Sequence, residues 1–139
     1  MAGFVLLPVW RPTEPGTDTP RGVVAMAPPG ITGALREMAR PGDHVFNPQP
    51  WGSWLKFALP DLPIGIDSRI EVFPASVWDA YEDVIAGVDG WQAQLDTWDV
   101  AFVVAAASDD AFAGRLADAG WRLAYTDADG SVFAAPPSE

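Results

Sequence analysis

Seven consecutive residues, Val100-Ala101-Phe102-Val103-Val104-Ala105-Ala106, carry no polar side chain and lie between Asp99 and Ser108-Asp109-Asp110. A run this short and this uniformly apolar reads as a strand covered on both faces, and hence as the central strand of a layered sheet. That one feature demands helices above and below it, and the rest of the chain supplies them. Ile31, Leu35 and Met38 share one face of a short helix before Pro41-Gly42. Val77, Trp78, Tyr81, Val84 and Ile85 repeat at helical spacing after Pro74 and stop at Gly87. Trp91, Leu95 and Trp98 define a helix capped by Asp89, and Phe112 and Leu116 one that is capped by Ser108 or Asp109 and stops at Gly120.

Strand signals alternate with these helices. His44-Val45-Phe46-Asn47 reads as a brief buried strand feeding a helix from Pro50 to Leu59. Ile64-Gly65-Ile66 reads as a second short strand ending in Asp67-Ser68-Arg69, with Ile70 to Phe73 continuing extended. Trp121 to Thr126 and Ser131 to Ala135 flank Asp127-Ala128-Asp129-Gly130, a hairpin signal. The order predicts an α/β layered domain with a mixed, mostly parallel sheet, helices on its faces and a C-terminal antiparallel hairpin.

With 139 residues there is room for one core, placed at 30–135, followed by a short tail at 136–139. Residues 1–29 read as a membrane-proximal segment or linker. The apolar run from Phe4 to Trp10 is open to two readings, the end of a membrane helix or an arm packed on the domain.

Charge and composition exclude several classes. The formal net charge of −11 repels phosphate backbones, which excludes a nucleic-acid partner. No cysteine is present, so thiol catalysis and thiolate metal sites are excluded, and the lone His44 cannot build a multi-histidine metal site. Dinucleotide, Walker, zincin and hydrolase-elbow motifs are missing, and no cofactor is implied. Asp127-Ala128-Asp129-Gly130 lacks the downstream glutamate of a calcium loop and is explained by the turn.

In open α/β sheets the carboxyl ends of the strands form the binding crevice. Asn47 ends the first strand and Asp67-Ser68-Arg69 the second, with Trp51 and Trp54 on the helix between them. Aromatic faces beside Asn, Asp and Arg are the ingredients of a saccharide site. The competing reading makes Trp51, Trp54 and Phe57 core residues at spacings of three, and Asn47, Asp67 and Arg69 loop ties. Rings lining a polar cleft would favour a ligand, buried rings a scaffold, and rings on a flat patch a protein partner. Trp78, Tyr81, Trp91, Trp98 and Trp121 read as core, and His44 as a surface or loop-facing residue. Asp67 and Glu71, four apart in an extended segment, do not make an acid–base pair.

Several of these residues carry a resemblance. Val45-Phe46-Asn47, then Trp51-Gly52-x-Trp54-Leu55, Ile66-Asp67-Ser68-Arg69, Phe73-Pro74, Gly90-Trp91 and Gly120-Trp121-Arg122-Leu123 resemble the C-terminal extracytoplasmic domain of bacterial polytopic membrane proteins. Those proteins are similar to C-superfamily glycosyltransferases of the dolichyl-phosphate-mannose protein mannosyltransferase type. Gly52-Ser53-Trp54-Leu55 stands where such domains carry a Gly-Gly-Tyr-Leu type sequence. The resemblance, over about residues 30 to 135, implies a non-catalytic domain on the outer face of the cell membrane, with Gly22 to Ala25 as its first ordered strand. It implies a membrane link through a parent chain only, and a glycan or the parent's membrane-domain loops as partners. It carries over no catalytic residue. An interaction module of a membrane protein and a small independent enzyme using Asp67 and Arg69 are the other expectations.

Overall fold

The computed structural model describes residues 26–137; the expected membrane-proximal run, the candidate strand Gly22 to Ala25 and the last two residues lie outside them. The elements are α1 (Pro29–Met38), β1 (His44–Phe46), a 3-10 turn (Gln49–Trp51) running into α2 (Gly52–Ala58), a second 3-10 turn (Ile70–Val72), α3 (Ala75–Ala86), α4 (Trp91–Thr97), β2 (Val100–Ala106), α5 (Asp110–Asp118), β3 (Arg122–Thr126) and β4 (Gly130–Ala134).

Four strands form one sheet in the order β1-β2-β4-β3, so the apolar run from Val100 is an interior strand. β1 pairs with β2 in parallel, His44 opposite Val100 and Phe46 opposite Val103, while β4 runs antiparallel to both β2 and β3. The sheet is therefore mixed, with parallel pairing confined to the β1 side. There it gains one more parallel bridge, between Val45 and Ile64.

Period-two alternation divides the core. Val45, Phe102, Val104, Val132 and Ala134 face α1 and α2, where Ile31, Leu35, Trp51 and Leu55 meet them. Phe46, Val103, Ala105 and Phe133 face the opposite way, onto Val84 of α3, Leu95 of α4, and Phe112 and Leu116 of α5. α3 ends at Gly87 in the left-handed conformation, φ 72°, as its glycine stop implied.

Four local expectations are corrected. Ile64 to Ile66 is a single bridge, because the chain leaves the sheet once Asn47 takes the Ile66 carbonyl. Ile70 to Phe73 is not extended: Asp67 Oδ1 accepts the Arg69 amide at 2.9 Å, and this Asx turn leads into a 3-10 turn. α4 is entered from Gly90 in the left-handed conformation, without a side-chain cap from Asp89. Phe57 is 78% exposed and not core. At about 100° per residue Phe57 stands about 160° round α2 from the fully buried Leu55.

Candidate functional site

The strand ends that the sequence singled out do come together. Asn47 is fully buried and donates from Nδ2 to the carbonyls of Ile66 at 2.9 Å and Pro48 at 3.0 Å, while its Oδ1 accepts the Ile66 amide at 3.4 Å. Both amide protons are used, so Asn47 is a strap between β1 and the returning segment. Asp67, 1% exposed, receives Lys56 Nζ at 2.9 Å from α2 and the Arg69 guanidinium at 2.7 Å. The Arg69 guanidinium, helped by Lys56 and the Arg69 amide, holds the Asp67 carboxyl well below the usual carboxylate range against the opposing cost of burial. Ser68 and Ser53 share a hydrogen bond at 2.7 Å across the same junction.

Gly52 explains how closely these pieces approach. A Cβ there would overlap the Ile66 carbonyl and crowd the Asp67 Cα, so the first turn of α2 sits directly on the strand end. Trp51, at this junction, is 8% exposed and belongs to the core beneath α1 and α2. Trp54 is half-buried against the same core and donates its indole N–H to Thr32 Oγ1 at 3.0 Å. The two rings expected to flank a polar ligand thus serve packing, because α1 covers the face of α2 that carries them.

A different set of aromatic residues lines open space. On the opposite face of the sheet, a cleft of about 440 Å³ runs beside β1 from His44 to Asn47. One wall is the returning segment Pro63 to Ile66, another is Val77 and Tyr81 on the first half of α3, and a third is Thr97 at the end of α4 with Trp98 and Asp99 after it. Phe46, Tyr81 and Trp98 form its aromatic part: Tyr81 stacks on Phe46 at 5.0 Å and 24°, and Trp98 stacks on it at 6.2 Å and 20°. Trp78 meets Tyr81 edge-on at 6.1 Å and Phe73 at the same distance, extending the series along α3.

Polar groups punctuate this apolar lining. His44 Nδ1 lies 2.7 Å from the Trp98 carbonyl, which can only accept, so Nδ1 carries the proton and Nε2 is the acceptor of the neutral ring. Nε2 has no hydrogen-bond partner among the described residues. His44 lines this cleft. Tyr81 Oη donates to the Asn47 carbonyl at 3.2 Å and accepts the Gln49 amide at 3.1 Å, which fixes the ring. Burial pushes the Tyr81 phenol up to about 12, with the Asp109 carboxylate adding to the shift. Asp99 has φ 51°, the only positive φ outside glycine among the described residues, and it sits at the rim. Left-handed non-glycine residues gather at binding and switch sites.

Of the six residues named from the sequence, Asn47 alone borders this cleft; Trp51, Trp54, Asp67, Ser68 and Arg69 do not. The residues missed are Tyr81, Trp98 and His44. A signal existed, since Val77 and Tyr81 lie on one stripe of α3 that begins before the buried Val84. No group of three or more His, Cys, Asp or Glu among the described residues could hold a metal ion. No helix among them is long and apolar enough to cross a membrane. Comparisons with protein-family models, curated proteins and solved structures returned no match.

Proposed function

We propose that the chain is a non-catalytic binding domain that holds a saccharide in the cleft between β1, α3 and α4. In this reading it is the extracytoplasmic part of a glycosyltransferase-like membrane protein, presenting a glycan to the rest of its parent chain. The observation that supports it is the cleft itself: stacked aromatic rings beside a histidine acceptor, in a volume within the range of small-molecule sites. The apolar C–H face of a sugar ring packs on Tyr81 and Trp98, and its hydroxyls reach the His44 ring and the Asp99 rim. The net charge of −11 disfavours anionic ligands.

A non-catalytic role is favoured by the state of the buried carboxylate. Asp67 is committed to Lys56 and Arg69, which leaves neither it nor the guanidinium free as an acid or base. A second reading, docking of a protein partner or of the parent's membrane loops, is favoured by Phe57, Ile70 and Val72, all well exposed.

The test is a titration of the full chain with mono- and oligosaccharides, read by tryptophan fluorescence, beside Trp98→Ala and Val77→Trp. The expected result is saturable binding by the parent protein, lost when a wall is removed or the cleft is filled. Binding that survives both substitutions, in variants that keep the parent's melting behaviour, would place the ligand elsewhere and overturn the reading.

A further inference from the structure

Tyr81 is shared by two cavities. Its other side, with Pro48, Gln49, Glu82 and Ile85, borders a second hollow of about 340 Å³ that ends at Ser108 and Asp109, where β2 passes into α5. Asn47 borders the first cavity and Pro48 the second, so the two meet at the end of β1. Val77, Tyr81 and Ile85 fall at intervals of four along α3, a single stripe about 12 Å long at 1.5 Å per residue. The walls of the two hollows thus lie along one side of α3, over a length greater than one sugar ring.

The polar character changes along this path. The first cleft offers stacked rings and a histidine acceptor; the second is edged by the Glu82 and Asp109 carboxylates, the Gln49 amide and the Ser108 hydroxyl. Asp109 occupies the N-cap position of α5, yet its carboxylate makes no capping hydrogen bond. Neither it nor Glu82 has a hydrogen-bond partner among the described residues. Both carboxylates remain available to accept from hydroxyl or ammonium groups, and both repel a third carboxylate.

We propose that the ligand is an oligosaccharide, uncharged or amino-bearing, that lies with one ring in the aromatic cleft and continues past Tyr81 into the hollow edged by Glu82, Ser108 and Asp109. This rests on the saccharide reading of the first cleft and adds chain length and charge class to it. Stacking at Tyr81 and Trp98 supplies affinity for any ring of suitable face. The second hollow selects, because only a ligand long enough to reach it gains the charge-assisted hydrogen bonds.

The experiment is a glycan array of neutral, amino-bearing and uronic-acid saccharides from one to six rings, probed with the full chain. Calorimetry then follows a chain-length series of the strongest binder, with the parent protein and the surface double variant Glu82→Gln, Ser108→Ala. Affinity is expected to rise about tenfold from monosaccharide to trisaccharide, the gain of one hydrogen bond to a charged group. The double variant is expected to reduce that gain and leave monosaccharide binding unchanged. A monosaccharide that binds as tightly as its oligomers, a double variant that weakens all lengths equally, or a preference for uronic acids overturns the inference while the saccharide reading stands. If no saccharide on the array binds, both fall together.

Discussion

α2 and α3 both bring aromatic rings to β1, on opposite faces of the sheet, and the outcomes differ. Trp51 is sealed under α1 and α2, whereas Tyr81 stands between two hollows. Helical spacing is not the cause, for both rings belong to an apolar stripe. What differs is what lies opposite. The first turn of α2 rests on the Ile66 carbonyl through Gly52, and α1 closes the other side with Ile31 and Leu35. The first half of α3 instead faces the segment Pro63 to Ile66, which bridges the sheet only at Ile64 and leaves a gap. An aromatic residue borders open space when the backbone facing it does not close onto it.

Substitutions can break that contrast, and the sealed side suffers most. Trp51→Ala empties a core position and is expected to cost about 3–5 kcal/mol of stability, measured by denaturant unfolding. Gly52→Ala sets a methyl group against the Ile66 carbonyl, and because backbone cannot yield as a side chain does, about 3 kcal/mol is expected. On the open side, Trp98→Ala removes a half-buried ring, with an expected cost of about 1 kcal/mol by the same measurement. Its main effect is on ligand binding. A Trp98→Ala variant as unstable as Trp51→Ala would show that the cleft is simply core.

Acid sharpens the comparison from the sealed side. The folded-state pKa of Asp67 lies below its ordinary value of 3.8, so the unfolded chain binds its proton first as pH falls. Its contribution to stability is complete above that ordinary value and is lost progressively below it. Asp67→Asn is expected to flatten the melting temperature against pH below about 4, where the parent protein falls steeply. An unchanged acid limb would separate Asp67 from the junction's stability. The smallest effect is on the open side: Tyr81 is expected to keep its proton to about pH 12, delaying its tyrosinate absorbance beyond that of an exposed phenol.

Much of the architecture was legible in the residues. The uninterrupted run at Val100 specified an interior strand, and Asp127-Ala128-Asp129-Gly130 specified the hairpin, whose Asp127 Oδ1 accepts the Asp129 amide at 2.8 Å. Gly87 and Gly120 ended their helices with φ 72° and 88°. The Asn47–Asp67 junction was legible as a meeting of strand ends, but its character was not. Whether an amide serves a ligand or a carbonyl depends on how far apart the two ends lie, and no local pattern encodes that distance. The cleft was hidden for a related reason. Tyr81 lies on α3 and Trp98 just after α4, and the space between them depends on how these separate elements pack on β1. Asp67 drawing the Arg69 amide into a turn likewise outweighed the β-propensity of Ile70, Val72 and Phe73.

In the proposed function the open side, and not the sealed one, binds. The most direct measurement is a ¹H–¹⁵N spectrum of the indole N–H signals of the seven tryptophans during titration with the strongest-binding saccharide. The account predicts that the Trp98 signal moves with ligand and that the Trp51 signal stays in place. Movement of Trp51 and Trp54 with Trp98 unmoved would contradict it and return the site to the Asn47, Asp67 and Arg69 junction.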